Sequence, residues 1–557
     1  MIFIEEHTHA VEFHHDELGS LGEGKLSFGA GTQVRGQLPM TSPIPHTDAE
    51  YVLGVVHAIN ENGKSYTLHG CKAYGFSIYA DYLIVGKVPE GRFRCLSIRY
   101  SDVSEWFMQW RRIEGKVGET LTWSELPQQI SVTFKDGQRP FKLTTEYESD
   151  LTSKGEDHVL HEHIEFALEQ TGGVLTLDDA KDKAMEIARL LSILITHPVS
   201  IVDIHVQTVD TNRFHRLYFP TFRPVDRDTS NGTFVRSCFI QKHALDDRWQ
   251  AIFESYYRSP HRRVRWTRLA GMQRYEGFWE YKALGYISLL DSYVSHHAGR
   301  AKKSLTPPNP KKMSTLEGEL NQMSPKLDQT TIKSILDATS RTFSFNQEPK
   351  FPEKYRATIA ATDADVVKII NISERDFRLI KRVRDKIAHG DDIGLEDGDL
   401  EQIGTVVSRI ELLLTYWAYV DVGLSKSDFL DGLNNPLCRL RRLSQIDTKH
   451  LARVCGTAEF FQVSPEVFRT LSSRKGLGVF ACFLEGPHRE IEFSDHFQQK
   501  HLDWHNARHT GMFTFEQIFD VQAGIVRHVP HLFIECGDES IEFHSACIFD
   551  KSRVSPV

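Results

Sequence analysis

Ser373 to Gly390 reads SERDFRLIKRVRDKIAHG, and this stretch decides how the middle of the chain is built. Phe377, Ile380, Arg384 and Ile387 fall on one face at helical spacing, so a helix is expected with an arginine inside its apolar stripe. Ser373 is a good N-cap, and Gly390 offers a C-cap just after His389. A guanidinium in an apolar stripe needs an anion or a fixed carboxylate. Asp385 and His389 are four apart, close enough on a helix for the carboxylate to hydrogen-bond the imidazole and set its tautomer. On a continuous helix Arg384 and His389 point about 140° apart. Unwinding at His389–Gly390, or a second copy of the helix across a dimer, would let them converge.

The neighbouring segments extend the helical pattern from about His243 to about Leu424. Downstream, Asp399 can cap a helix in which Leu400, Ile403, Val407, Ile410, Leu414 and Trp417 alternate spacings of three and four. Val406, Leu413 and Val420 widen that stripe, which suits a bundle core or a dimer interface. Upstream, Phe278, Tyr281, Leu284 and Ile287 step by three, and Leu289 and Leu290 extend the run. Asp291 in that run, or Glu280, is the expected carboxylate partner of Arg384. Between these helices Arg300 to Lys312 (RAKKSLTPPNPKK) reads as an exposed basic loop.

On either side the pattern changes. From about Lys25 to about Phe222, β-branched and aromatic runs such as 51–56, 82–86, 130–134 and 201–206 are separated by turn signals, among them Asn62-Gly63 and Asp136-Gly137. One helix, with Ala184, Ile187, Leu190, Leu191 and Leu194 in phase, interrupts them. From about Thr448 the pattern is mixed. The expected architecture is multi-domain α+β: a β-rich, sandwich-like N-terminal domain (1–240), an α-helical bundle (241–425) and a small α+β C-terminal domain (448–557).

With 557 residues, 40% hydrophobic and 25% charged, the chain is long enough for two to four domains. Its net charge of -9 excludes nucleic-acid binding through a generally basic surface, so any such contact must be a local patch. The eight cysteines are scattered and form no CxxC pair, which favours reduced, buried thiols. No signal peptide and no membrane span is read, so a cytoplasmic protein is expected. No Walker loop or GxSxG motif supports NTP hydrolysis or esterase chemistry.

An arginine, an acid and a histidine suit RNA cleavage without metal or other cofactor. A histidine with pKa of about 6.5 can take the proton from a ribose 2′-OH, and an arginine can neutralise the phosphorane. The products would carry a 2′,3′-cyclic or 3′-phosphate and a 5′-hydroxyl, and DNA would be left intact. Arg384-Asp385-Lys386-Ile387-Ala388-His389-Gly390 resembles the Arg-polar-x-x-x-His signature of HEPN ribonucleases, with an Ile-Ala-His-Gly flank similar to the ApeA-like branch. The β-rich half, with the run Ser65-Tyr66-Thr67-Leu68-His69-Gly70, resembles the N-terminal domain that accompanies it. This resemblance spans roughly residues 20 to 425. It implies an anti-phage abortive-infection factor, a homodimer with two motifs face to face, structured RNA such as tRNA as substrate, and a phage-derived trigger. Arg384, Asp385 and His389 would be catalytic, with Asp291, Glu280 and Lys386 supporting. The rival reading is a non-catalytic bundle that dimerises and binds RNA or a phage protein.

Other patterns carry less. Arg262, Arg263 and Arg265, with Lys302 and Lys303, could supply a basic surface for RNA or be a solvated face. Leu451 to Leu471 has a helix–turn–helix look, which arises often by chance. His501, His505 and His509 would line one helical face; a solvated or partner-facing stripe is the expectation there, and no metal ligand set is assigned.

Overall fold

The computed structural model describes residues 2–44, 49–108, 113–115, 120, 122–123, 126–211, 213–225, 234–298, 309–323, 326–343, 349–395, 398–474, 480–507 and 513–554. The chain divides into two compact units, Met1–Gln445 and Ile446–Val557.

The first unit opens with six antiparallel strands: β1 (Glu6–His15), β2 (Gly19–Gly29), β3 (Thr32–Gln37), β4 (Tyr51–Asn60), β5 (Ser65–Tyr74) and β6 (Ser77–Ala80). They run in the order β5-β4-β1-β2-β3-β6, and β6 pairs with β5 as well as β3, so the ring closes into a small barrel. Closure removes the free edges of these strands. Phe13, Leu26, Val34, Val56 and Ile78 are buried along them. Gly36 permits one close approach: a Cβ there would fall 2.8 Å from Phe13 Cζ. The sequence reading starts strands only near Lys25. It misses β1 because histidines and glutamates alternate along it, leaving Val11 and Phe13 as its fully buried side chains.

The sheet continues from β5 through β7 (Tyr82–Val85), Phe214–Tyr218, Ile201–Thr208, β8 (Arg92–Tyr100), Asp157–Gln170 and Arg139–Lys154 to Ser131–Asp136. Both turn signals are used. Gly63 (φ 75°) lies between β4 and β5, and Gly137 (φ 62°) lies where Asp136 pairs with Arg139. Helix Leu177–Ile195 starts from a capping box between Thr176 and Asp179 and packs on β8.

Helices complete the first unit. Trp279–Ala298, Phe351–Ala360, Glu374–His389 and Asp399–Asp421 form the core of the bundle, where Tyr293 stacks on Trp417 at 4.3 Å. Three details differ from expectation. Phe278 and Tyr281 are exposed, so the buried stripe of Trp279–Ala298 begins at Ala283. Gly398, in a left-handed conformation, caps the long helix instead of Asp399, and both end positions of its stripe, Leu400 and Val420, are exposed. Pro310 to Lys312 are helical, because Asn309 caps Pro310–Gln322 and Pro suits its first turn.

The second unit is a small α+β fold with a three-stranded sheet (Glu459–Gln462, Leu532–Cys536, Glu539–Phe543) and a four-stranded sheet around Ala481–Glu485 and Ala546–Asp550. The helix–turn–helix look dissolves here. Strand Glu459–Gln462 separates helices Thr448–Cys455 and Pro465–Ser472 and pairs in parallel with Leu532–Cys536. All eight cysteines are free. Among the described residues, no helix is long and apolar enough to cross a membrane.

Candidate functional site

Helix Glu374–His389 is bounded as its sequence predicts. Ser373 and Asp376 form a capping box, and Gly390 ends the helix at φ 71°, its N–H donating to the Ile387 carbonyl. Asp376 also anchors the long helix: it accepts from Gln402 Nε2 at 3.0 Å and pairs with Arg409 at 3.3 Å. Burial opposes its ionisation. The Ser373 backbone and hydroxyl bonds, Gln402 and the Arg409 charge outweigh that and hold its carboxyl below the usual range. Phe377 stacks on Tyr355 at 4.2 Å, which fixes the helix against Phe351–Ala360.

Arg384 then emerges where three helices meet. Its Nη2 lies 3.1 Å from Asp291 Oδ2, and its guanidinium sits over the Phe351 ring at 5.2 Å. Asp291 Oδ1 accepts from Ser295 Oγ at 3.2 Å, and Lys354 Nζ approaches that same hydroxyl at 3.2 Å. A two-cation, one-carboxylate cluster results. Arg384 is about 29% exposed, so its remaining donors can face a ligand. Glu280 does not join the cluster. It lies eleven residues before Asp291 on the same helix, about 16 Å along the axis.

His389 and Asp385 are exposed on the helix surface, and no hydrogen bond joins them. Within one copy Asp385 therefore leaves the imidazole tautomer unset. Lys386 Nζ lies 3.4 Å from Asp391. One pattern escaped the sequence reading. Arg375, Arg378, Arg382, Lys386 and His389 step by three or four, so they share one side of the helix within about 80°. Arg375, Arg378 and Arg382 are exposed, with Arg382 at 3.3 Å from Asp399. This stripe supplies a local basic surface on a chain of net charge -9.

The expected RNA-binding arginines fare differently. Arg262 is buried, 4% exposed, with Asp136 at 2.6 Å, Glu186 at 3.6 Å and the Tyr257 ring beneath it at 4.5 Å. Lys183 binds the same two carboxylates. Burial opposes ionisation of Asp136, but the Lys183 and Arg262 bonds outweigh it and lower its pKa. Arg262 is thus an internal tie between sheet and helices and is withdrawn as an RNA ligand. Arg265 is half-buried and donates to the Ser292 carbonyl and His261 Nδ1, which holds two of its donors inside the bundle. Arg263 is exposed. Lys302 and Lys303 lie outside the described residues, as does His509. His501 stacks on Phe480 at 3.6 Å, and burial lowers its pKa, so this histidine serves packing.

With the site in place, the comparisons locate the rest of the unit. Residues 13–256 match the family model ApeA N-terminal domain 1. No curated protein and no solved structure matches the chain. The ApeA-like region takes in most of the barrel, the continued sheet and helix Leu177–Ile195, and ends within helix Trp249–Arg258. Helix Glu374–His389 lies beyond it. The two are joined inside the first unit. Arg262 reaches Asp136 and Glu186, Arg274 donates to Ser200 Oγ at 2.8 Å and the Val199 carbonyl at 2.6 Å, and the Tyr419 hydroxyl donates to the Leu194 carbonyl.

Proposed function

We propose that this chain is a metal-independent endoribonuclease of the HEPN type that acts in anti-phage defence. The observation that carries the reading is the end of helix Glu374–His389. A part-exposed arginine is held there by a fixed carboxylate, an exposed histidine closes the helix, and a basic stripe runs up to it. The similarity of residues 13–256 to ApeA N-terminal domain 1 supports the defence role.

In this mechanism His389 removes the 2′-OH proton, the 2′-oxygen bonds to phosphorus as the P–O5′ bond breaks, and the proton held on the imidazole returns to the leaving 5′-oxygen. Arg384 neutralises charge on the phosphate with donors that Asp291 and Phe351 hold in place. Arg384 and His389 sit on opposite sides of one helix. The cleft is therefore completed by a second copy of the chain, whose motif helix brings its histidine to this arginine. Asp385 sets the imidazole of such a pair. Structured RNA, tRNA included, is the proposed substrate, and a phage component the trigger that acts through the ApeA-like region.

A second reading has its own observation. The Arg384–Asp291 ion pair is already closed, as it would be in a bundle that only dimerises and binds RNA or a phage protein. Cells carrying wild type or His389→Ala, infected with phage and analysed for RNA fragments, separate the two. The nuclease reading expects fragments and protection from wild type alone. Protection by both proteins without fragments would leave the scaffold.

A further inference from the structure

The histidine stripe at 501–509 drew attention in the sequence, yet the fold gathers a different set. In the second unit, strands Leu532–Cys536 and Glu539–Phe543 form an antiparallel pair with Leu532 opposite Phe543. One step further, His531 and His544 face each other, and Glu542 lies two residues from His544 on the same side of its strand. One ligand atom from each of His531, Glu542 and His544 lies within 4.8 Å of the other two.

We propose that His531, Glu542 and His544 bind a divalent transition metal of the zinc class. The donor set is two imidazole nitrogens and a carboxylate oxygen, which suits zinc and its neighbours and not calcium or magnesium. The spacing fits. Bonds of about 2.0–2.1 Å in a tetrahedron place ligand atoms about 3.3 Å apart. His531 Nε2 lies 2.8 Å from Glu542 Oε1, and His544 Nδ1 lies 3.8 Å from the same oxygen. Modest side-chain rotations close the rest, and His544, 69% exposed, is free to make them. The strands beneath are anchored: Leu532, Ile534 and Phe543 are buried in the core, and the His531 ring rests against Phe533 at 4.7 Å. Three protein donors leave one position for water or an outside ligand, as sites of this type do when they are not purely structural. This site is separate from Arg384 and His389, and RNA cleavage does not pass through it.

The test is calorimetric titration of zinc into the metal-stripped full-length protein, repeated with cobalt to read ligand geometry from its visible spectrum. One equivalent is expected to bind to wild type. His544→Ala and Glu542→Gln should each weaken it by more than about tenfold, with unfolding of the metal-free protein unchanged, while His501→Ala keeps it. Equal zinc binding by wild type and both variants would overturn the proposal. So would loss of the equivalent in His501→Ala alone.

Discussion

Two arginine junctions in the first unit are built from the same groups and end in opposite states. At Arg262 the guanidinium is 4% exposed, faces Asp136 and Glu186, lies on Tyr257 and shares its carboxylates with Lys183. At Arg384 the guanidinium faces the single carboxylate of Asp291, lies on Phe351 and stays about 29% exposed. The first junction encloses its guanidinium between two carboxylates and ties the ApeA-like sheet to the helices. The second meets one carboxylate and stays open to solvent, on the helix that ends at the exposed His389. What separates the buried junction from the part-exposed one is the count of carboxylates around the guanidinium, two against one.

The comparison breaks most readily at its buried end. Arg262→Ala leaves Asp136 and Glu186 short of a partner in the interior, and a loss of about 3–5 kcal/mol of stability is expected in denaturant unfolding. Arg384→Ala should lose less than about 1 kcal/mol, because its pair is solvent-exposed in part. Similar losses for both would erase the distinction.

The buried junction also has a pH-sensitive neighbour. His261 is buried against Tyr293; burial first, then the positive charges of Arg265, His296 and His297, push its pKa down to about 3. The folded state keeps it neutral where the unfolded chain, with pKa about 6.5, binds a proton. Its contribution is complete above about pH 6.5 and is lost as pH falls toward 3, by about 1.4 kcal/mol per pH unit. Unfolding free energy measured from pH 7 to 4 should therefore fall less steeply in His261→Gln than in wild type. Parallel slopes would show that His261 is not held neutral.

At the open end, Asp291→Asn keeps the shape of the carboxylate but removes its charge. RNA cleavage should drop about tenfold with little change in stability, because Arg384 loses its positioning partner. The smallest effect is expected along the basic stripe. Arg378→Ala and Arg382→Ala should each weaken RNA binding a few-fold, irrespective of sequence, and lower the salt slope by about one per lost phosphate contact. An unchanged salt slope would remove the stripe from the RNA path.

How much of this was legible in the sequence varies with the range of the forces involved. Helix Glu374–His389, its Ser373 and Gly390 caps and the two-residue turn at Gly137 depend on neighbours a few positions away, and they read correctly. Arg384 and Asp291 could be named as partners because a charge in an apolar stripe demands one. Other features depend on distant strands. Strand β1 hides behind its histidines until closure buries Val11 and Phe13. Glu459–Gln462 has helical neighbours and becomes a strand by pairing with Leu532–Cys536. Arg262 looked exposed because nothing local tells that Asp136 and Glu186 converge on it. His531, Glu542 and His544 meet through hairpin register alone.

The central claim is tested most directly by purified wild type, Arg384→Ala and His389→Ala incubated with total bacterial RNA in EDTA, with the ends of any fragments identified. The account predicts cleavage by wild type that leaves 5′-hydroxyl ends, reduced by at least about a hundredfold in each variant. Cleavage that persists in His389→Ala, or fragments with 5′-phosphate ends, would contradict it.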